Sequence, residues 1–244
     1  IVLAVGARRK RDLVIPGREL GGICFAVDYL AAQNRLNSRE LHALPPELDA
    51  RGKNVVVLGG GDTGSDCVGP ARRQGALSVS QYEILPRPPV NRSESNPWPE
   101  WPRTLRTSSS HEEGCERRWN ISSLAFVSSE TDAEKVGGLK AEEVTWRMEN
   151  NRPPVPAPVP GSTFTKKVDL VLLALGFTGV EDSAWLDGLG CIPAQGRISR
   201  ADGGQKAGAY ACGDAVSGPS LVVRAINDGL ETARRVLHDY ELHT

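Results

Sequence analysis

The pattern of apolar and polar positions is clearest at residues 54–85. An apolar run at 54–58 (NVVVL) has the length of a buried strand and leads into a glycine-rich turn. A helix follows to about Gln74, with Gly75 placed to cap its carboxyl end, and a second strand-like run occupies 79–85 (VSQYEIL). The pattern predicts one βαβ unit.

The segment before this unit reads as a strand and a helix. Residues 1–5 (IVLAV) form a buried strand that ends at a glycine. Apolar residues at helical spacing predict a helix from Leu20 to about Arg39, and Pro45 and Pro46 prevent it from continuing. A linker is expected near residue 50.

The segment after this unit alternates irregular and β-like stretches. Residues 86–110 contain six prolines and two tryptophans, so we expect a long functional loop. Short β-like runs over 119–171 predict an antiparallel excursion that returns to a buried strand. The proline-rich stretch 152–162 is interpreted as a loop, with a polyproline recognition motif as the alternative. A helix is expected from about Leu221 to Tyr240.

Composition narrows the class of protein. The net charge is −1, from 29 Lys and Arg against 30 Asp and Glu, which gives no general electrostatic reason to bind nucleic acid or an anionic membrane. Apolar runs such as 168–177 are too short to span a bilayer. We therefore expect a soluble α/β protein with neither nucleic-acid nor membrane partners.

The five cysteines occur singly, without a CxxC pair or a histidine at zinc-ligand spacing. This pattern predicts a reducing, cytoplasmic setting and no metal site. The sequence opens at Ile1 inside a strand-like run, with neither a starting methionine nor a signal peptide. The expectation is that the chain begins in the middle of a fold.

The strongest chemical signal is a GxGxxG sequence between the strand and the helix of the βαβ unit. Its residues are Gly59, Gly60, Gly61, Asp62, Thr63 and Gly64. Gly59 permits the tight turn, Gly61 lets the backbone approach a pyrophosphate, and Gly64 lets the helix pack against the strand. Free N–H groups and the positive dipole end of the helix suit phosphates, which predicts dinucleotide binding.

The choice between NAD(H) and NADP(H) stays open at this stage. Glu83 lies 24 positions after Gly59, at the end of the second strand, where an acidic residue binds the adenosine ribose of NAD(H). Arg87 and Arg92 follow closely and could pair with the 2′-phosphate of NADP(H). The alternative for all three is a solvent-facing charge at a strand end.

A second signal lies near the carboxyl terminus. A strand-like run precedes Gly213 and Asp214, and a helix begins after Ser220 and Leu221. This order resembles the C-terminal flavin motif of two-dinucleotide-domain flavoproteins, in which the aspartate holds the ribityl and pyrophosphate region of FAD. The alternative is an aspartate that caps a helix.

Two further segments resemble the paired crossover motifs of the same superfamily. They are LAVGA at 3–7 and LALGF at 173–177, and the latter contains Gly176, which is taken as a further cofactor-binding residue. In that superfamily the chain passes between its FAD and nucleotide domains at these motifs. They lie on either side of the GxGxxG unit, as this resemblance requires.

The order of motifs along nearly the whole chain resembles the glutamate synthase small (beta) subunit family. The segments that carry the likeness are VVVLGGGDTGSDCVGPARRQGA, YEILPRPP, NPWPEWPR, HEEG, DLVLLALGF and SLVVRAINDG. The resemblance implies hydride transfer from NAD(P)H to FAD, with electrons continuing through iron–sulfur clusters to a large (alpha) subunit that makes glutamate.

The sequence also departs from that family's pattern. The family's first FAD motif and its cysteine-rich region would lie before Ile1, and Pro219 and Arg224 stand where Gln and Trp are expected. The expected fold is thus a Rossmann-like NAD(P)-binding domain at 51–172, inserted in an incomplete FAD-binding domain formed by 1–50, which includes the linker, and 173–244.

The implied chemistry needs cofactor binding more than side-chain catalysis. Hydride passes directly between nicotinamide and flavin, so no catalytic side chain is predicted, and His111 in HEEG is assigned a structural role. Two alternatives remain. One is a different NAD(P)H:FAD electron-entry domain, and the other is a nucleotide-binding docking module without redox activity.

Overall fold

The structure is a computed structural model that describes residues 1–100, 102–147, 153–181, 186, 188, 196–198 and 209–241. The strands are β1 (Val2–Leu3), β2 (Arg9–Lys10), β3 (Ile23–Phe25), β4 (Asn54–Leu58), β5 (Ser78–Tyr82), β6 (Glu116–Arg118), β7 (Ile121–Ser128), β8 (Val136–Arg147), β9 (Val155–Pro158), β10 (Phe164–Lys167), β11 (Leu170–Leu173), β12 (Phe177–Gly179) and β13 (Tyr210–Ala211). The helices are α1 (Ala26–Asn37), α2 (Asp62–Arg73), α3 (Ser109–Glu112), α4 (Asp214–Ser217) and α5 (Val222–Glu241), with a 3₁₀ turn at Pro46–Leu48.

The chain divides into two compact units. The first comprises Ile1–Arg11 and Gly176–Thr244, and the second comprises Asp12–Leu175. These limits differ from the expected boundaries at 50/51 and 172/173, because β3 joins the sheet of the second unit and takes residues 12–50 with it. The assignment of one cofactor to each unit stays a prediction.

A five-stranded parallel sheet organises the second unit in the order β3-β11-β4-β5-β6. Side chains of β4 alternate between its two faces, as in any strand. Val55 and Val57 pack against α1 and α2, whereas Val56 and Leu58 pack against an antiparallel sheet. Because both faces are covered, the strand is apolar throughout, and the predicted βαβ unit is confirmed.

The first helix is shorter than the sequence pattern indicates. Residues 23–25 form a parallel edge strand on β11 instead of a helical turn, with Val171 N–H donating to Gly22 O at 2.8 Å. The helical spacing of the apolar residues therefore extended the predicted helix over a short strand that precedes it. Within the helix, Ala26, Tyr29 and Ala32 form the buried stripe.

The antiparallel sheet has the order β10-β8-β7, with β9 paired to β8. The antiparallel excursion is therefore confirmed, whereas the interpretation of 152–162 as a plain loop is wrong at β9. Pro156 and Pro158 are tolerated there because β9 lies at an edge, where a missing N–H need not break a ladder.

Among its described residues, the first unit contains short strand pairs and the helices α4 and α5. β1 pairs with β13 in parallel, and β2 pairs with β12 in antiparallel. Leu3, Ala211 and Ala215 belong to its buried core. The predicted C-terminal helix is confirmed as α5. No helix in the described ranges combines the length and apolar character that crossing a membrane requires.

Removing a buried side chain from the central layer tests this arrangement. Leu172 is fully buried against the helices, whereas Leu77 is 69% exposed. We expect Leu172→Ala to lower the free energy of unfolding by about 2–5 kcal/mol, and Leu77→Ala by less than about 0.5 kcal/mol. Urea unfolding followed by circular dichroism measures both, and equal effects would contradict the packing described.

Candidate functional site

The turn after β4 is held by close backbone contacts that leave no room for side chains. Gly59 has φ 117°, and a Cβ added there would overlap the carbonyl oxygen of Ala174. A Cβ at Gly64 would overlap the carbonyl oxygen of Gly59. The first and last glycines of the GxGxxG sequence are therefore required by the packing of β4, β11 and α2.

The amino end of α2 is open to an incoming ligand. Gly61 is the N-cap residue, without a side chain to accept hydrogen bonds from the first turn, and a Cβ added to it would meet no atom within 4 Å. The N–H groups of the first turn have no partner within the helix, and they carry the positive end of its dipole. This geometry suits an anionic group such as a phosphate.

A pocket of about 660 Å³ lies beside this turn, at the carboxyl ends of β4, β5 and β6. Ligands of open parallel sheets bind at this edge. Its lining residues include three residues of the glycine-rich turn, an acid, two basic side chains and an aromatic, namely Gly60, Gly61, Asp62, Glu83, Arg106, Arg117 and Trp119. Thr63 is partly buried on α2 and is outside this lining.

Glu83 is anchored at the end of β5. One carboxylate oxygen accepts from Gly60 N–H at 2.6 Å and the other from Leu85 N–H at 2.9 Å. A carboxylate oxygen has two lone-pair directions, so each oxygen keeps one for a ligand. The predicted ribose-binding residue is thus held against the glycine-rich turn, within the lining of the pocket.

Two arginines contact one tryptophan that lines the pocket; Arg117 belongs to the same lining, whereas Arg87 lies outside it. The guanidinium carbons of Arg87 and Arg117 lie 5.2 and 5.0 Å from the ring centroid of Trp119. Burial and the positive charge of Arg87 lower the pKa of Arg117 from its ordinary value. Arg92, the other arginine predicted to contact the nucleotide, donates instead to the backbone oxygens of Asn96 and Glu100. It therefore stabilises the loop that follows β5.

Sequence reasoning missed Arg117 and Trp119 because it did not predict the third parallel strand of this edge, β6. The signal was the short run ERRW at 116–119, in which basic and aromatic residues directly follow one another. β6 pairs in parallel with β5 and ends beside Glu83, whose N–H donates to Arg118 O at 2.9 Å. The end of β6 therefore brings Trp119 to the pocket.

A partly buried series of hydrogen bonds connects the turn to α3. The side-chain nitrogen of Gln81 donates to Gly59 O at 3.0 Å, and its oxygen lies 2.8 Å from His111 Nε2. His111 Nδ1 accepts from Ser108 N–H at 3.1 Å, within a capping box at the start of α3. The structure thus gives His111 defined partners on both ring nitrogens.

The second predicted site lies in the first unit. Gly213 has φ 70° and donates its N–H to Asp228 Oδ2 at 2.7 Å, while Asp214 Oδ1 accepts from Ser220 Oγ at 2.8 Å. Leu221 is exposed immediately before α5. A pocket of about 480 Å³ is lined by residues that include Ser217, Ser220, Asn227 and Asp228.

Gly176 lies at the junction predicted to be a crossover. It has φ 79°, and its carbonyl accepts from Arg11 N–H at 2.9 Å. Arg11 is the last residue of one segment of the first unit, and Gly176 is the first residue of the other. Its predicted contact with a cofactor stays a prediction, as do those of Gly213, Asp214, Ser220 and Leu221.

The described residues show neither a metal cluster nor a redox disulfide. Within the described ranges, no group of three or more His, Cys, Asp or Glu side chains is arranged to hold a metal ion. The four cysteines described there are free thiols. Burial raises the pKa of Cys67 to about 12, which leaves that thiol unreactive at neutral pH.

A solved oxidoreductase structure shares the fold of this chain. The oxidoreductase FprA of Mycobacterium tuberculosis superposes with a TM-score of 0.70 at 17% identity, over 98% of this chain and 63% of that one. At this identity the likeness concerns the fold alone. The expected fold class is confirmed.

The chain belongs to the pyridine nucleotide-disulphide oxidoreductase family, whose profile matches residues 1–229. The small chain of glutamate synthase [NADPH] from Mycobacterium tuberculosis is 43% identical over 97% of this chain and 48% of its own length. Glutamate synthase [NADH] from Saccharomyces cerevisiae is 36% identical over 97% of this chain and 11% of its length. The resemblance drawn from the motifs is confirmed, and the chain spans about half or less of these relatives.

The hydrogen bonds of His111 predict a pH dependence of stability. Burial, together with the charge of Arg117, lowers the pKa of His111 below the ordinary value of 6.5. The unfolded chain therefore takes up this proton first, so stability contributed by neutral His111 is complete above about pH 6.5 and decreases as the pH falls below it. In urea unfolding between about pH 7.5 and about pH 5, the free energy of unfolding should decline less steeply for His111→Asn than for the wild type. Parallel declines of the two proteins would contradict this role of His111 in the pH dependence.

Proposed function

We propose that this chain binds NADPH at the pocket beside the glycine-rich turn and passes its hydride to FAD, as part of a glutamate synthase small chain. The observation that carries the proposal is the combination of an uncapped helix amino end with Gly61 open to solvent at the carboxyl edge of a parallel sheet. That combination accommodates a pyrophosphate without moving the backbone.

The surroundings of the pocket favour the phosphorylated nucleotide. Arg117 lines the pocket together with Glu83, the carboxylate that would contact the ribose, and Arg87 adds a second positive charge over the ring of Trp119. Guanidinium groups bind phosphate by charge-assisted, bidentate hydrogen bonds. Glu83 has both oxygens engaged by backbone N–H groups, and each oxygen keeps a lone-pair direction that a ribose hydroxyl would use.

The residues of the first unit fit a flavin through polar groups at a helix start. Asp214 keeps one carboxylate oxygen away from its bond with Ser220, while at the start of α5 the N–H groups of Arg224 and Ala225 donate to Leu221 O. Asp214, Ser220 and Leu221 would hold FAD, which when bound accepts the hydride of the nicotinamide. The protein's contribution is to bind and orient both groups and to exclude water.

The onward path of the electrons follows from the relatives. The names of the two relatives specify glutamate synthase, one of them its small chain. We infer that electrons delivered by this chain support glutamate formation on a large (alpha) subunit or domain. Among alternatives, a docking module that binds nucleotide without redox chemistry would bind NADPH but would leave a bound flavin oxidised.

Gly61→Val tests the nucleotide site without disturbing the fold. The added side chain meets no protein atom but occupies the approach of the pyrophosphate, so we expect the dissociation constant for NADPH to rise by at least about 100-fold. Loss of stability should be no more than about 1 kcal/mol, the usual effect at an N-cap. Calorimetric titration measures binding. Gly229→Val, which also adds a side chain in open space, is the control. Unchanged NADPH affinity in a folded Gly61→Val would exclude this turn from the site.

Arg87→Ala tests the choice of nucleotide. If its guanidinium pairs with the 2′-phosphate, affinity for NADPH should fall by about 10-fold or more, whereas affinity for NADH should change by less than about threefold. Arg72→Ala removes the same charge from an exposed position of α2, and it should leave both affinities unchanged. Equal losses for NADPH and NADH in Arg87→Ala would show that the 2′-phosphate is not read by this residue.

A further inference from the structure

Gln81 is a polar side chain in a buried position of β5. Only 2% of it is exposed, and both ends of its amide are paired, one with Gly59 O and the other with His111 Nε2. A buried polar group that lost one of these partners would retain its full cost of desolvation. The two hydrogen bonds therefore hold this side chain in a single orientation.

The direction of each hydrogen bond follows from one backbone group. Ser108 N–H can only donate, so His111 Nδ1 must accept, and the ring proton of neutral His111 lies on Nε2. Nε2–H then donates to the oxygen of Gln81, which turns the amide nitrogen of Gln81 toward Gly59 O. The polarity of the chain from α3 to the turn is fixed.

This series of hydrogen bonds orients the peptide group that joins Gly59 to Gly60. The bond is trans, so its carbonyl and its N–H point to opposite sides. Gln81 holds the carbonyl on the inner side, and Glu83 accepts from Gly60 N–H on the side of the pocket. Because neither residue has a Cβ, the backbone torsions of the two glycines themselves allow this peptide to rotate. Rotation would direct the carbonyl oxygen toward the Glu83 carboxylate and the anionic ligand.

We propose that His111 and Gln81 are positioning residues that hold the Gly59–Gly60 peptide in the orientation that a nucleotide pyrophosphate requires. The inference rests on the proposed function, since it assigns these residues to the same nucleotide site. His111 lies at the edge of the pocket, but it acts through Gln81 and not by proton transfer. The loop between β5 and α3 ends at Ser108, and the capping box there connects this loop to the glycine-rich turn through His111.

Two substitutions of His111 separate positioning from capping. In His111→Asn the shorter side chain keeps an acceptor for Ser108 N–H but does not reach Gln81. In His111→Gln the side-chain nitrogen replaces Nε2 and can still donate to Gln81. We expect the dissociation constant for NADP⁺ to rise by about fivefold to tenfold in His111→Asn and by less than about threefold in His111→Gln.

A ligand without a pyrophosphate provides the contrast. Adenosine 2′-monophosphate carries the adenosine and the 2′-phosphate only, so its affinity should change by less than about twofold in His111→Asn. Equal losses for NADP⁺ and adenosine 2′-monophosphate would indicate general damage to the pocket and would overturn the inference. Unchanged NADP⁺ affinity in His111→Asn would overturn it as well.

Amide hydrogen exchange in the ligand-free chain gives an independent readout. Gly60 N–H is held by Glu83 only while the peptide keeps its orientation, so its exchange should be at least about fivefold faster in His111→Asn than in the wild type or His111→Gln. Identical exchange in the three proteins would show that His111 does not hold the Gly59–Gly60 peptide through Gln81, and would overturn the inference. If the wild-type chain fails to bind NADP⁺, the proposed function and the nucleotide-positioning role are both overturned. Faster exchange of Gly60 N–H in His111→Asn would still show that His111 holds the peptide.

Discussion

The close approach of three backbone segments at the end of β4 is the constraint on which the site depends. Gly59 lies against the carbonyl of Ala174 after β11, and its own carbonyl lies against Gly64 of α2. Side chains at either glycine would force the strands and the helix apart. With this contact in place, α2 begins directly at the sheet edge, where its open amino end faces the pocket.

The parallel sheet provides the rigid support for this contact. β4 is central, with β11 on one side and β5 on the other, and its side chains are buried in both directions. Burial on two faces is the usual condition of parallel strands, and it resists the small shifts that would open the turn. The ligand-facing groups therefore come from the ends of strands whose positions are fixed by packing.

Charges of both signs meet at the pocket without cancelling each other. Glu83 binds backbone N–H groups of the turn and of Leu85, whereas Arg87 and Arg117 rest on the face of Trp119. The carboxylate and the guanidinium groups thus have separate partners. In the proposed site, the ribose would contact Glu83 and a phosphate would contact a guanidinium group.

The sequence alone determined the βαβ unit, the glycine-rich turn, the candidate Glu83 and the motif order that identified the family, because these depend on residues close together along the chain. Local spacing could not separate the short edge strand β3 from α1, nor predict that Pro156 and Pro158 lie in an edge strand. It also could not show that Trp119 and Arg117 come to Glu83, or that His111 reaches Gly59 through Gln81. Those contacts join residues 22 or more positions apart, and only the pairing of β6 with β5 and the packing of α3 against α2 decide them.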